Sequence, residues 1–111
     1  EEVARTRGLD IELEQYYEFG PIDFDPEMAQ LLRECADSLD VKHSDLLTVA
    51  GHDAVPLNRI CPTGLLFVAS CNGISHNETE ACKPEDVTHG ASVLFHAVLA
   101  QAGVAGQTDQ L

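Results

Sequence analysis

Thr63-Gly64-Leu65-Leu66-Phe67-Val68-Ala69 is the stretch on which the fold turns. It is apolar on both faces, which is the pattern of a fully buried, parallel-type strand rather than of a strand with one wet side. On its far side lies the polar stretch Ser70–Lys83, which carries Gly73-Ile74-Ser75-His76-Asn77 and reads as a loop. Pro84-Glu85-Asp86 then opens a last helix. Val87, Ala91, Leu94, Val98 and Leu99 are expected to form its inner stripe, with His89, Ser92 and His96 on another face. The tail, residues 103–111, is small and polar and is expected to fray.

Working back from the same stretch, Leu46-Leu47-Thr48-Val49 reads as a short strand leading into Gly51-His52-Asp53. A short helix is expected to follow through Ile60, with Pro56 confining it to a first turn or bending it. Further back, Asp25-Pro26-Glu27 is a helix-start signal: a capping carboxylate, Pro at the first helical position and an acid in the first turn. Met28, Leu31, Leu32, Cys35, Ala36 and Leu39 follow at helical spacing, which predicts an amphipathic helix over 26–39. Helix, strand, loop, strand, helix is an α/β arrangement.

The first twenty residues have a different character. Residues 1–7 resemble the end of a helix, with Arg5 and Arg7 near its negative end and Gly8 in the stop position. Leu9, Ile11 and Leu13 then alternate with Asp10, Glu12 and Glu14, the period of a half-exposed antiparallel strand. Gly20-Pro21 breaks that strand, and 21–25 reads as a linker. The division expected is therefore 1–21 as the end of one domain, 22–102 as part of a second, and 103–111 as a flexible tail.

Composition narrows the function. A chain of 111 residues with 44% hydrophobic residues has the material for one small core. A net charge of −13 repels phosphate backbones and argues against nucleic-acid binding. There is no apolar run of ~20 residues to span a membrane and no signal-peptide pattern, so a cytoplasmic setting is expected. The opening Glu1-Glu2-Val3-Ala4-Arg5, without an initiator Met, reads as the interior of something longer. Cys35, Cys61, Cys71 and Cys82 form no C-x-x-C pair, and reduced, mostly buried thiols are expected. Cys61 and Cys71, flanking the apolar strand, read as packed thiols.

Ligand sites in open α/β sheets collect where strands end. Two such segments carry His, Asp or Glu: Ala50-Gly51-His52-Asp53-Ala54 and Gly73-Ile74-Ser75-His76-Asn77-Glu78-Thr79-Glu80. A neutral imidazole suits Zn²⁺ and similar ions and gains from a second group that fixes its tautomer, and Asn77 or Glu80 can supply such outer-shell hydrogen bonds to His76. Spacing alone does not make this a metal site, and by itself favours reading His76 as a surface or capping histidine. At the first segment, Gly51 lets a ligand approach the backbone beside His52, and the amides opening the next helix can hold an anion. The alternative is a plain turn in which Asp53 caps the helix. His43, His89 and His96 read as solvated or capping residues. No G-x-S-x-G elbow or Gly-rich phosphate loop is present.

Several motifs occur in one order: Ala50-Gly51-His52-Asp53-Ala54; Arg59-Ile60-Cys61-Pro62-Thr63-Gly64-Leu65-Leu66-Phe67-Val68; Asn72-Gly73-Ile74-Ser75-His76-Asn77-x-x-Glu80; and Pro84-Glu85-Asp86-x-x-x-Gly90-Ala91-x-Val93-Leu94. From about residue 3 to 101 the chain resembles the closing section of the hydantoinase/carbamoylase-type amidases. These are the N-carbamoyl-L-amino-acid hydrolase, β-ureidopropionase and allantoate amidohydrolase group of the M20 metallopeptidase-like family. Val55 and Pro56 depart from the usual run after G-H-D-A.

The resemblance implies part of a zinc-peptidase-type (phosphorylase/hydrolase-like) mixed sheet with flanking helices, preceded by the last helix and strand of a ferredoxin-like lid and dimerisation domain. It implies hydrolysis of a linear amide or ureido C–N bond, foremost in N-carbamoyl amino acids, with allantoate as an alternative. Two divalent ions (Zn, Mn, Co or Ni) and a homodimer are implied for the intact enzyme. By the same resemblance, His76 is a metal ligand, Gly51 and His52 bind substrate, and Asn77 and Glu80 support the ligand. The family's other ligands and its general base have no counterpart here. The chain by itself is thus expected to be inactive, and a non-catalytic interaction module is the competing expectation.

Overall fold

The computed structural model describes residues 2–18, 20–48 and 50–103. Helix α1 (Glu2–Thr6) stops at Gly8, whose φ of +65° allows the Leu9 and Gly8 amides to turn back onto the carbonyls of Ala4 and Arg5. Helix α2 (Pro26–Ser38) starts as its sequence dictates. Asp25 Oδ1 accepts from the backbone N–H groups of Glu27 and Met28 at 3.0 and 2.9 Å, and Pro26 occupies a position where its missing N–H has no intrahelical partner to lose. The helix closes in the same manner as α1, but on a non-glycine residue: Asp40 has φ +53°, and the Val41 N–H donates to Ala36 O at 2.9 Å. That reversal brings Val41 back onto the core. Helix α3 (Ala54–Leu57) is a single turn, as expected from Pro56, and helix α4 (Pro84–Ala102) is the longest element.

The core lies between α2 and α4. Cys35 and Ala36 meet Val93 and Ala97, with Leu31, Leu32, Leu39, Val41 and Leu66 packed around them. All four central side chains are small, so the helices approach closely. The apolar stretch quoted at the outset runs along both helices. A Cβ on Gly64 would stand 3.0 Å from Leu32 Cδ1 and 3.4 Å from Met28 Cβ, and a Cβ on Gly90 would stand 2.6 Å from Val68 Cγ2. Leu66 points into the helix–helix core.

Four expectations need correction. First, Thr63–Ala69 is half-buried rather than fully buried, and Phe67 is 41% exposed. No described residue belongs to a strand ladder, and one isolated antiparallel bridge, Ser70 to Cys82, is formed. Strands exist only against partners, and the described residues supply none here. Second, Leu9, Ile11 and Leu13 are 62, 53 and 82% exposed, so the alternating segment buries neither face, for the same reason. Leu46 and Leu47 are likewise exposed, while Val49 lies outside the described residues. Third, the inner face of α4 is Gly90, Val93 and Ala97, not the stripe Val87, Ala91, Leu94, Val98 and Leu99, whose members are exposed. The helix is apolar around most of its circumference, so periodicity does not choose a face. Close approach selects the small residues. Fourth, of the cysteines only Cys35 is buried; Cys61 and Cys82 are exposed and Cys71 half-buried, all four as free thiols. The expected tail beyond Gly103 lies outside the described residues.

The segment after α2 is tied back to it by charge. Arg33 Nε and Nη2 donate to Asp45 Oδ1 and Oδ2 at 3.0 and 2.9 Å, and His43 Nε2 lies 3.0 Å from Asp37 Oδ1. The hydrogen bonds from Arg33, and then its charge, hold the Asp45 carboxyl below the usual carboxylate range. The same contact pushes Arg33 up. A carboxyl depressed in the folded state stabilises it above the unfolded pKa, and that contribution disappears as pH falls through the folded pKa.

Two outcomes follow. Gly90→Ala should lower the urea midpoint by the equivalent of about 1–3 kcal/mol, because β-branched Val68 must give way. Val68→Ala in the Gly90→Ala background should recover part of that loss. Asp45→Asn should be less stable than the parent at neutral pH by a small, salt-sensitive margin. The two urea midpoints should converge as pH falls below about 4.

Candidate functional site

His52 stands in a tight connection. The Ala50 N–H donates to Thr48 Oγ1 at 3.2 Å, and the Val55 N–H returns to His52 O at 3.0 Å, so the chain is already turning before α3 begins. Asp53 is helical (φ −62°, ψ −21°) and its side chain makes no cap, so the segment turns without the expected Asp53 cap. The connection is anchored from the other side by Asn58 Nδ2, which donates to Asp23 O at 2.8 Å. Residues 21–25, expected as a linker, are thus held against the second part of the chain, and the Asp25 N–H also donates to Thr63 O at 3.1 Å.

The His52 imidazole packs edge-to-face on Phe67, with ring centroids 5.0 Å apart and planes at 70°. Its Nε2 is shut off from water and has no hydrogen-bond partner among the described residues. Leaving a buried nitrogen unsatisfied costs about 1–3 kcal/mol, so it calls for an explanation. Beside it, Gly51 is exposed, and a Cβ there would meet nothing within 4 Å. The chain's own packing does not require glycine at this position, and the missing side chain leaves the backbone open to a ligand.

His76 sits in a loop closed at its neck by the Ser70–Cys82 bridge and by the Cys71 N–H donating to Ala81 O at 2.7 Å. Inside the loop, a short 3₁₀ turn spans Cys71–Gly73, and Asn72, Gly73 and His76 all have positive φ, at 58, 67 and 55°. The His76 N–H donates to Glu80 Oε2 at 2.7 Å. Asn77 Oδ1 accepts from both the N–H and the hydroxyl of Thr79, at 3.0 and 2.8 Å, while the Glu80 N–H donates to Asn77 O at 3.0 Å. Glu80 and Asn77 therefore fix the backbone that carries His76, and the imidazole itself is exposed.

Among the described residues no three His, Cys, Asp or Glu side chains gather into a group able to hold a metal. A Zn²⁺ site takes about four donors, so the donors of this chain alone do not fit a metal centre. The remaining histidines are placed as expected: His43 beside Asp37, His89 exposed, and His96 exposed with Nδ1 2.8 Å from Ser92 O. The expectation of packed thiols fails at Cys61, which is exposed, with Sγ 3.5 Å from Leu57 O.

Phe67 is the site residue the sequence reading missed, having counted it as buried strand core. The signal was available in the two-residue period. Leu66 and Val68 turn toward the helices, so Phe67 must face the other way.

Comparison with known proteins adds what geometry does not. The model of peptidase family M20/M25/M40 matches residues 6–100. The N-carbamoyl-L-amino-acid amidohydrolase of Rhizobium meliloti is 35% identical over 102 residues, covering 92% of this chain and 24% of that protein. The N-carbamoyl-L-amino acid amidohydrolase of Geobacillus stearothermophilus is 34% identical over 98 residues, covering 88 and 24%. The crystal structure of an amidase of the hydantoinase/carbamoylase family from Burkholderia vietnamiensis matches with a TM-score of 0.83 at 42% identity, over 91% of this chain and 24% of that one. The chain thus spans about a quarter of the length of these relatives. With its family model matched along nearly its whole length, the chain belongs to peptidase family M20/M25/M40.

Proposed function

We propose that this chain is the closing quarter of a metal-dependent amidohydrolase that cleaves linear amide or ureido C–N bonds, foremost those of N-carbamoyl amino acids. The observation that carries the reading is the buried, unpartnered Nε2 of His52, in a chain matched by carbamoyl-amino-acid amidohydrolases over nine-tenths of its length. An imidazole nitrogen held in an apolar setting beside a side-chain-free backbone suits one end of a small polar substrate. As an Nε2–H donor, reached once the atoms covering it give way, His52 would bind the substrate's carboxylate or carbamoyl oxygen and orient it. Gly51 would let that group approach the main chain. Water exclusion around Nε2 strengthens such a hydrogen bond.

His76 is proposed as one ligand of one of two divalent ions (Zn, Mn, Co or Ni), the remaining donors coming from outside these residues. Such ions would supply an activated water when bound. The part of this chain is to present one imidazole from a loop whose backbone Asn77 and Glu80 hold, a supporting role of the kind that tunes metal sites. In the same reading, residues 1–21 end a lid and dimerisation domain and 22–102 belong to the metal-binding domain of a mixed-sheet zinc-peptidase type. The intact enzyme is then a cytoplasmic homodimer. Among the described residues no helix is long and apolar enough to cross a membrane. An allantoate-type substrate fits the same chemistry. A non-catalytic interaction module is the competing reading.

Two measurements test the first reading. Titrated with zinc, the chain should show no tight stoichiometric site and should not turn over N-carbamoyl amino acids; a sub-micromolar single site would contradict the division of ligands proposed here. In the enzyme that includes the upstream segment, His76→Ala should cut carbamoyl-substrate hydrolysis by roughly a hundredfold or more, since even supporting residues around metals cost 10–100-fold. Full activity in that variant would remove the ligand role.

A further inference from the structure

We infer that Phe67 is the positioning residue for His52, setting the angle at which its imidazole meets the substrate. The inference rests on His52 as the substrate-binding group and extends it to a residue outside both histidine motifs. Its basis is geometric. The two rings meet at 5.0 Å and 70°, the edge-to-face arrangement that aromatic quadrupoles favour. Rotation about the His52 side-chain bonds is therefore opposed by a specific contact and not by bulk alone. A hydrogen bond from either ring nitrogen would fix the imidazole more strongly, but Nε2 makes none. The ring contact with Phe67 takes over that orienting task, and Nε2, covered by the chain's own atoms, keeps its hydrogen-bonding capacity unspent.

Phe67 is itself well anchored. Its neighbours Leu66 and Val68 are seated against the helices, Leu66 in the α2–α4 core and Val68 against Gly90. The main chain at Phe67 is thereby fixed, and its ring turns away from the helices to meet His52. The path from helix packing to substrate geometry runs through one residue. At 41% exposure Phe67 is not a core-filling side chain here, so its size alone does not explain its contact.

The test is a set of variants in the enzyme that includes the upstream segment, with steady-state kinetics on an N-carbamoyl amino acid. Phe67→Ala should raise KM about three- to tenfold, the range such ring pairs support, with kcat within about twofold. Phe67→Tyr keeps the ring and should restore the parent KM. Phe67→Leu keeps bulk but loses the ring and should behave as Phe67→Ala; if leucine restores KM, the contact is packing and the inference is overturned. In a His52→Ala background, Phe67→Ala should add nothing further, because its only route to the substrate is gone; additive losses would overturn the inference while leaving the role of His52 intact. Should His52→Ala leave KM unchanged, the substrate-binding reading falls, and this inference falls with it. As a spectroscopic check on the full chain, Phe67→Ala and Phe67→Leu should shift the His52 ring-nitrogen resonances and Phe67→Tyr should not. Unshifted resonances in the first two would also overturn it.

Discussion

Gly64 and Gly90 allow the chain from Thr63 to Val68 to lie against two helices at once, and most of the described structure follows from that contact. A Cβ at either position would collide or crowd: 2.6 Å to Val68 Cγ2 at Gly90, 3.0 Å to Leu32 Cδ1 at Gly64. With both side chains absent, Leu66 reaches the small-residue seam of Cys35, Ala36, Val93 and Ala97. Small residues at a helix contact bring backbones together, and apolar burial of ~25 cal/mol per Å² then acts over a tight interface. The same register sends Phe67 to the opposite side, toward His52. Packing between helices and the orientation of a candidate substrate group are thus two faces of one constraint.

The surface left open has a consistent pattern. Leu9, Ile11, Leu13, Leu94 and Val98 all lie more than half exposed. These are the residues whose alternation or helical spacing encodes burial. Their patterning therefore specifies partners that the described residues do not provide, in keeping with relatives four times as long.

What the sequence made legible divides along the same line. Local chemistry could be read directly: the Asp25 cap, Pro26 at the helix start, the stop at Gly8 and the single turn imposed by Pro56 all appear as expected. These features depend on neighbours a few residues away. Strand pairing and the choice of helix face depend on distant groups. The reading of 63–69 as fully buried and of Val87, Leu94 and Val98 as the inner stripe failed for that reason. At the site, the motifs located His52 and His76, but they could not reveal that Glu80 would bind the His76 backbone instead of its ring. Nor could they show that an aromatic ring, not a carboxylate, would hold His52.

The loop around His76 shows how far a short segment can organise itself without a sheet around it. Three residues at positive φ within five positions, two of them not glycine, each cost of order 1–3 kcal/mol where a side chain is present. Such a backbone persists only where surrounding bonds over-determine it. Here the neck bridge at Ser70 and Cys82, the Asn77 side chain on Thr79 and the Glu80 carboxylate on the His76 amide do so, all from within the loop. None of these bonds uses the imidazole. The strain is offset by backbone and neighbouring side-chain groups, which leaves both ring nitrogens of His76 uncommitted to the loop's own stability. His43 and His96 differ in this respect, with His43 Nε2 3.0 Å from Asp37 Oδ1 and His96 Nδ1 2.8 Å from Ser92 O.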